Sequence, residues 1–220
     1  MKDLILIGAG GTCADVLTII EALNAKGAGY RCLGILDDNP ALKGGGAFGL
    51  PLLGGLSDAG AWSNARLVDC LGSPGSYRRR EGILRDRGLD MGRFETLISP
   101  HAIVASSAAV GSGCVIFPGV VVMSGVTLGA HVTILANCVL NHDVSVGDFS
   151  ILTSGVNVSG RVRIGRSSYI GAGSSLKHDV SVGDGALVGL GSAVIRDVLP
   201  HTVVAGNPAR LLHEQTKDSS

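Results

Sequence analysis

This chain of 220 residues has few aromatic side chains, no paired cysteine motif and no excess of charge of either sign. Phe, Trp and Tyr make up 4% of it, which suits a thin interior with little room for rings. Eighteen basic residues balance eighteen acidic ones, so nothing points to nucleic acid or an anionic membrane as the main partner. The five cysteines (Cys13, Cys32, Cys70, Cys114, Cys138) form no CxxC pair and no zinc-ligand spacing, so structural roles and no metal site are expected. Cys13, near a helix start, is the one where a lowered thiol pKa competes with simple packing. The apolar run that opens the chain is too short for a signal peptide, and no later run suits a membrane span. A cytoplasmic location is the expectation.

What the chain does have is a ladder. From Ile98 every sixth residue is aliphatic: Ile98, Val104, Val110, Ile116, Val122, Leu128, Ile134, Leu140, Val146, Leu152, Val158, Ile164, Ile170, Leu176, Val182, Val188, Val194. With 45% of the chain hydrophobic, seventeen consecutive hits would arise by chance roughly once in a million trials, and a six-residue period is the signature of a parallel β-helix. Positions two before the rungs are small or β-branched, as at Cys114, Val120, Val126, Cys138, Ser150 and Val162. Gly111, Gly129, Gly147, Gly165 and Gly183 recur every eighteen residues. Three hexads therefore make one coil of a triangular prism of about five coils, and the recurring glycine is expected where the backbone turns sharply.

The first hundred residues follow another pattern. Asp3–Ile7 reads as a buried strand, Gly8-Ala9-Gly10-Gly11 as a loop, 12–26 as a helix, and Arg31–Leu36 as a second strand ending in Asp37-Asp38-Asn39-Pro40. This is a small Rossmann-like βαβ unit. Its glycine loop can approach a phosphate, and its terminal carboxylates can accept from ribose or base. The full Gly-x-Gly-x-x-Gly fingerprint is absent because position 13 is Cys. Gly44–Gly46 reads as a flexible link, Arg66–Leu71 as a third strand, and 76–87 as a basic helix with a solvated face. Ser99-Pro100-His101 looks like a hinge, which divides the chain into an α/β domain at 1–97 and the prism with its cap at 98–220. The last residues, His213 to Ser220, are polar and expected to fray.

Within the ladder, Asn141-His142-Asp143 falls at or near a corner, since Leu140 is the inward rung. Spacing alone leaves His142 either a surface histidine or a catalytic one. Gly160 lies one coil later, so its backbone stacks about 4.8 Å away and its N–H can reach a reacting carbonyl. Lys177-His178-Asp179 repeats the triplet two coils on, roughly 10 Å along the axis and too far for a dyad with His142.

Together these motifs resemble the left-handed β-helix acyltransferases, and with the N-terminal unit the sugar O- and N-acetyltransferase family, over nearly the whole chain. The resemblance implies left-handedness, a homotrimer, acetyl-CoA as co-substrate without a metal, and a nucleotide-linked amino sugar as substrate. It implies His142 as general base with Asp143 orienting the ring, and Gly160 as oxyanion donor. Gly10, Gly11, Thr12, Asp37, Asp38 and Gly55 would contact the nucleotide, and Ala172, His178, Leu190, Gly191 and Arg210 the coenzyme. Many relatives carry His-Gly-Lys/Arg after the double glycine, where this chain has Thr12-Cys13-Ala14.

The reading is N-acetylation of a nucleotide-linked 4-amino-6-deoxy sugar, with O-acetylation of sialic acid or another glycan hydroxyl as the alternative. A γ-type carbonic anhydrase needs two histidines five residues apart, and His131, His142 and His178 supply no such pair. A non-catalytic β-helix would want a regular array of one polar residue type and would leave the βαβ unit unexplained.

Overall fold

The computed structural model describes residues 1–42 and 44–215. The chain forms two compact units, one of residues 1–100 with 112–115, the other of residues 101–111 with the chain from 116 onward.

The first unit is built on β1 (Lys2–Ile7), whose residues Leu4 to Ile7 are completely buried. A strand with four successive apolar residues suits the middle of a parallel sheet covered on both faces. It pairs in parallel with β2 (Tyr30–Leu36) on one side. On the other lies the strand Arg66–Asp69. Helix α1 (Gly11–Ala25) buries Cys13, Val16, Ile19 and Ile20, a stripe at helical spacing.

The link expected to be flexible is ordered instead. β3 (Gly46–Ala47) runs antiparallel to β4 (Leu50–Gly54), which adds in parallel to β2. The two residues between them, Phe48 and Gly49, have φ of 54° and 78°, the paired left-handed conformation of a tight hairpin turn. With Arg66–Asp69 as β5, the sheet order is β3-β4-β2-β1-β5, so the chain leaves β1 toward both edges. The basic stretch is a 3-10 turn, Tyr77–Arg79, followed by α2 (Arg80–Asp86). The expected solvated face fails at Arg80, which is fully buried with Nε donating to Asp69 Oδ2 at 2.9 Å. Removing one partner of such a pair strands a buried charge at a cost of about 3–5 kcal/mol. Arg80 therefore holds α2 to the end of β5.

In the second unit each hexad contributes a two-residue strand that ends on the rung, as in Val121–Val122, Thr127–Leu128 and Thr133–Ile134. Each pairs in parallel eighteen residues away: Val122 with Leu140, Leu128 with Val146, Ile134 with Leu152. Three sheets result, one per face of a left-handed parallel β-helix. Every rung from Ile116 to Val194 is buried. Each such side chain contributes roughly 1.5–3 kcal/mol through its lost contact with water.

The sharp turns are not where the recurring glycine predicted them. None of Gly111, Gly129, Gly147, Gly165 and Gly183 has positive φ, whereas His131, Asn137, Asp143, Phe149, Arg161 and Asp179 do, at 56° to 67°. The glycines answer to coil spacing instead. A methyl group on Gly147 would lie 2.5 Å from the Arg166 nitrogen and 2.7 Å from the Gly165 carbonyl carbon of the next coil. Gly147→Ala is accordingly expected to lower unfolding stability by about 1–3 kcal/mol, read in a urea melt, because backbone cannot yield as a side chain can.

The ladder ends at Pro200. Thr202–Ala205 then joins the sheet of Leu187–Val188, and Arg210–Glu214 returns antiparallel along it. His213 and Glu214 thus belong to a strand and are not frayed, since the sheet edge offers them backbone partners: Val203 opposes His213 and Thr202 opposes Glu214. The remainder of the tail, 216–220, lies outside the described residues.

Candidate active site

The turn between the strands Val139–Leu140 and Ser145–Val146 is two residues wide at its tip, His142 and Asp143. Asp143 takes φ of 60°, and its N–H donates to Ser124 O of the preceding coil at 3.0 Å. In a straight strand neighbouring side chains diverge; this left-handed residue brings them together. His142 Nδ1 lies 2.9 Å from Asp143 Oδ2. An ionised carboxylate only accepts, so Nδ1 carries the proton in this contact and Nε2 is left as the acceptor of the neutral ring. Both side chains are substantially exposed.

One coil on, the turn residues are Gly160 and Arg161, with Arg161 N–H donating to His142 O at 3.0 Å. The imidazole lies directly across Gly160. A methyl group there would sit 2.5 Å from His142 Nε2, 2.6 Å from Cε1 and 3.0 Å from Cδ2. The missing side chain is therefore the space the ring occupies. The ladder bonds pass over the first residue of each turn, and among the described residues the Gly160 N–H has no hydrogen-bond acceptor. A proton acceptor and an unused backbone donor thus lie side by side.

The third turn of the column holds His178 and Asp179. His178 is exposed, and among the described residues His142 bonds to Asp143 rather than to it. Asp179 forms a two-point ion pair with Arg161, Nε to Oδ1 at 2.6 Å and Nη2 to Oδ2 at 2.9 Å. The guanidinium holds the Asp179 carboxyl below its ordinary range. Ala172, Leu190 and Gly191 lie in another column of turns, where Gly191 N–H donates to Ala172 O at 2.8 Å and the Leu190 side chain is 81% exposed. Arg210, exposed on the last strand, lines a cavity of about 230 Å³ with Arg196, Leu199, Val204 and Leu211. Sequence reasoning missed Arg196, whose only signal was a basic residue two positions after the last aliphatic rung, Val194.

In the first unit, the loop after β1 and the end of β2 are tied together: Ala9 N–H donates to Asp37 Oδ2 at 2.7 Å. Gly10 precedes α1 as its cap residue, and Gly11 and Thr12 begin the helix. Asp37, Asp38, Asn39, Leu52, Gly54, Gly55 and Asp58 line a concavity of about 400 Å³. Gly10, Gly11 and Thr12 are not part of its wall. Burial would raise the Asp38 carboxyl, but the Leu56 N–H and the Arg87 guanidinium, 2.7 Å away, hold it below the usual range. Asp58 was not singled out from sequence; it accepts from Gly55 N–H at 2.8 Å, and an acidic residue three positions past a helix-starting glycine was its signal. Cys13 is fully buried; its hydrogen bond with Cys70 holds the Cys13 thiol below its ordinary range and, together with burial, pushes the Cys70 thiol well up. Among the described residues no group of three or more His, Cys, Asp or Glu could hold a metal ion. None of the helices among them is long and apolar enough to cross a membrane.

Residues 107–142 match the family model for the bacterial transferase hexapeptide, six repeats. A search of curated protein sequences finds no match. Among solved structures the chain is similar to the acetyltransferase domain of PglB from Neisseria gonorrhoeae, at 29% identity over 96% of this chain and 100% of that one, TM-score 0.82. That domain has also been solved with acetyl coenzyme A. A mutant of the GDP-perosamine N-acetyl transferase from Caulobacter crescentus, in complex with CoA and GDP-perosamine, is 25% identical over 97% of this chain and 98% of that one, TM-score 0.83. Fold, repeat and neighbours agree: the chain is an acyltransferase built on a left-handed β-helix of hexapeptide repeats, and it is similar to the sugar acetyltransferases just described.

Proposed function

We propose that this protein is an acetyl-CoA-dependent N-acetyltransferase whose acceptor is the amine of a nucleotide-linked 4-amino-6-deoxy sugar. The observation that carries the reading is the His142–Asp143 contact of 2.9 Å with Nε2 held across a bare glycine. Acetyl-CoA supplies the acyl group as a thioester. His142 Nε2 accepts the proton that the acceptor nitrogen sheds as it bonds to the acyl carbon, then returns a proton to the departing sulfur. Asp143 keeps the proton on Nδ1 and stabilises the imidazolium while it lasts. The Gly160 N–H offers a donor to the oxyanion, and no protein nucleophile is required. Arg196 and Arg210 give the C-terminal cavity the charge that a coenzyme phosphate seeks, and His178, Ala172, Leu190 and Gly191 are assigned to the coenzyme side. The first domain, at 1–97, is assigned to the nucleotide, with Gly10, Gly11 and Thr12 toward the diphosphate and Asp37, Asp38 and Gly55 toward base and ribose. The working assembly is taken as a homotrimer in the cytoplasm.

The test is thiol release from acetyl-CoA with UDP- and GDP-linked 4-amino-6-deoxy sugars offered separately. Release with one of them, with a product heavier by one acetyl group on nitrogen, supports the reading and names the base. A folded protein that releases thiol with neither sugar, but does so with sialic acid or another glycan hydroxyl, overturns it in favour of O-acetylation.

A further inference from the structure

Three residues of one corner column repeat the same left-handed conformation in successive coils: Asp143 at φ 60°, Arg161 at 61° and Asp179 at 67°. Coil spacing sets neighbours in such a column about 4.8 Å apart, so Arg161 has one carboxylate a coil below it and another a coil above. A long, flexible guanidinium side chain can reach either. It takes Asp179, through two charge-assisted bonds of 2.6 and 2.9 Å, while Asp143 remains on His142 through one contact of 2.9 Å. A two-point pairing with Arg161 would be the stronger claim on Asp143 if the guanidinium were released.

We propose that Asp179 is a positioning residue: it holds the Arg161 guanidinium away from Asp143, so that Asp143 stays on His142. This gives the second His-Asp triplet a role that needs no contact between His178 and the reaction. The field around the pair agrees. Asp179 is the first influence on Arg161, and Asp143 also acts on it through space, so the alternative partner is within electrostatic reach. Asp179 is held below its ordinary range chiefly by its bonds to Arg161, so it stays an ionised partner for the guanidinium. Losing Asp179 removes the clamp and leaves Asp143 as the nearest carboxylate in the column. His142 then loses the group that fixes its tautomer.

The proposal rests on His142 acting as the base, and the experiment separates the two. Steady-state thiol release over a range of substrate concentrations is compared for wild type, His142→Ala, Asp179→Asn, Arg161→Gln and the Asp179→Asn/Arg161→Gln double variant. The expected result is a kcat about tenfold lower in Asp179→Asn with little change in KM, near-wild-type kcat in Arg161→Gln, and recovery in the double variant to within about threefold of wild type. A merely structural role for the exposed ion pair would not be rescued by deleting its other half. Wild-type kcat in Asp179→Asn, or a loss that Arg161→Gln fails to relieve, overturns the positioning role while leaving the base intact. Full activity in His142→Ala overturns the base itself.

Discussion

Replacing His142 by alanine is expected to lower kcat by a factor of about 10² to 10⁴, the usual worth of a positioned general base, and to leave KM for the sugar nearly unchanged. The side chain is about half exposed and supports no packing, so unfolding should move little. A variant with kcat within threefold of wild type would remove His142 from the mechanism. Asp143→Asn is expected to be milder than His142→Ala, because the ring remains but its tautomer is no longer fixed.

Gly160→Ala is expected to cost about 10² in kcat/KM, because displacing a catalytic group by an ångström or so is enough for a loss of that size. Gly160 does not have positive φ, so the backbone accepts alanine. The added methyl would meet the tip of the His142 ring at 2.5 Å. The ring can swing aside, and in doing so it leaves Asp143 and the Gly160 N–H. Activity is therefore expected to fall while the urea midpoint stays near wild type. Gly147→Ala should do the reverse, since there the obstacle is backbone of the next coil. Equal loss of stability in both variants would mean that Gly160 is a packing glycine and not a space kept for the ring.

Much of the architecture was legible in the chain. A side chain that must point inward every sixth residue leaves an aliphatic mark at each step, and from Ile116 to Val194 each marked residue is buried. The strands around the glycine loop were legible for a related reason, since Leu4 to Ile7 must all be buried at once. Local geometry was harder to read. Glycine has two distinct uses, positive φ and close approach, and composition does not tell them apart; the eighteen-residue glycines proved to be the second kind. Arg80 looked like its exposed neighbours because its partner Asp69 is on a different element.

The sequence by itself determined the period, the order of an α/β unit before a β-helix, and the residue types available at each corner. Tertiary structure alone decided which of those residues meet. Stacking at eighteen-residue intervals laid Gly160 beneath the His142 ring, set Arg161 between two carboxylates, and turned Asp143 toward its neighbour through a left-handed φ. The physical reason is that a one-dimensional repeat fixes which residues share a column. Side-chain length, charge and backbone hand then fix which of them touch.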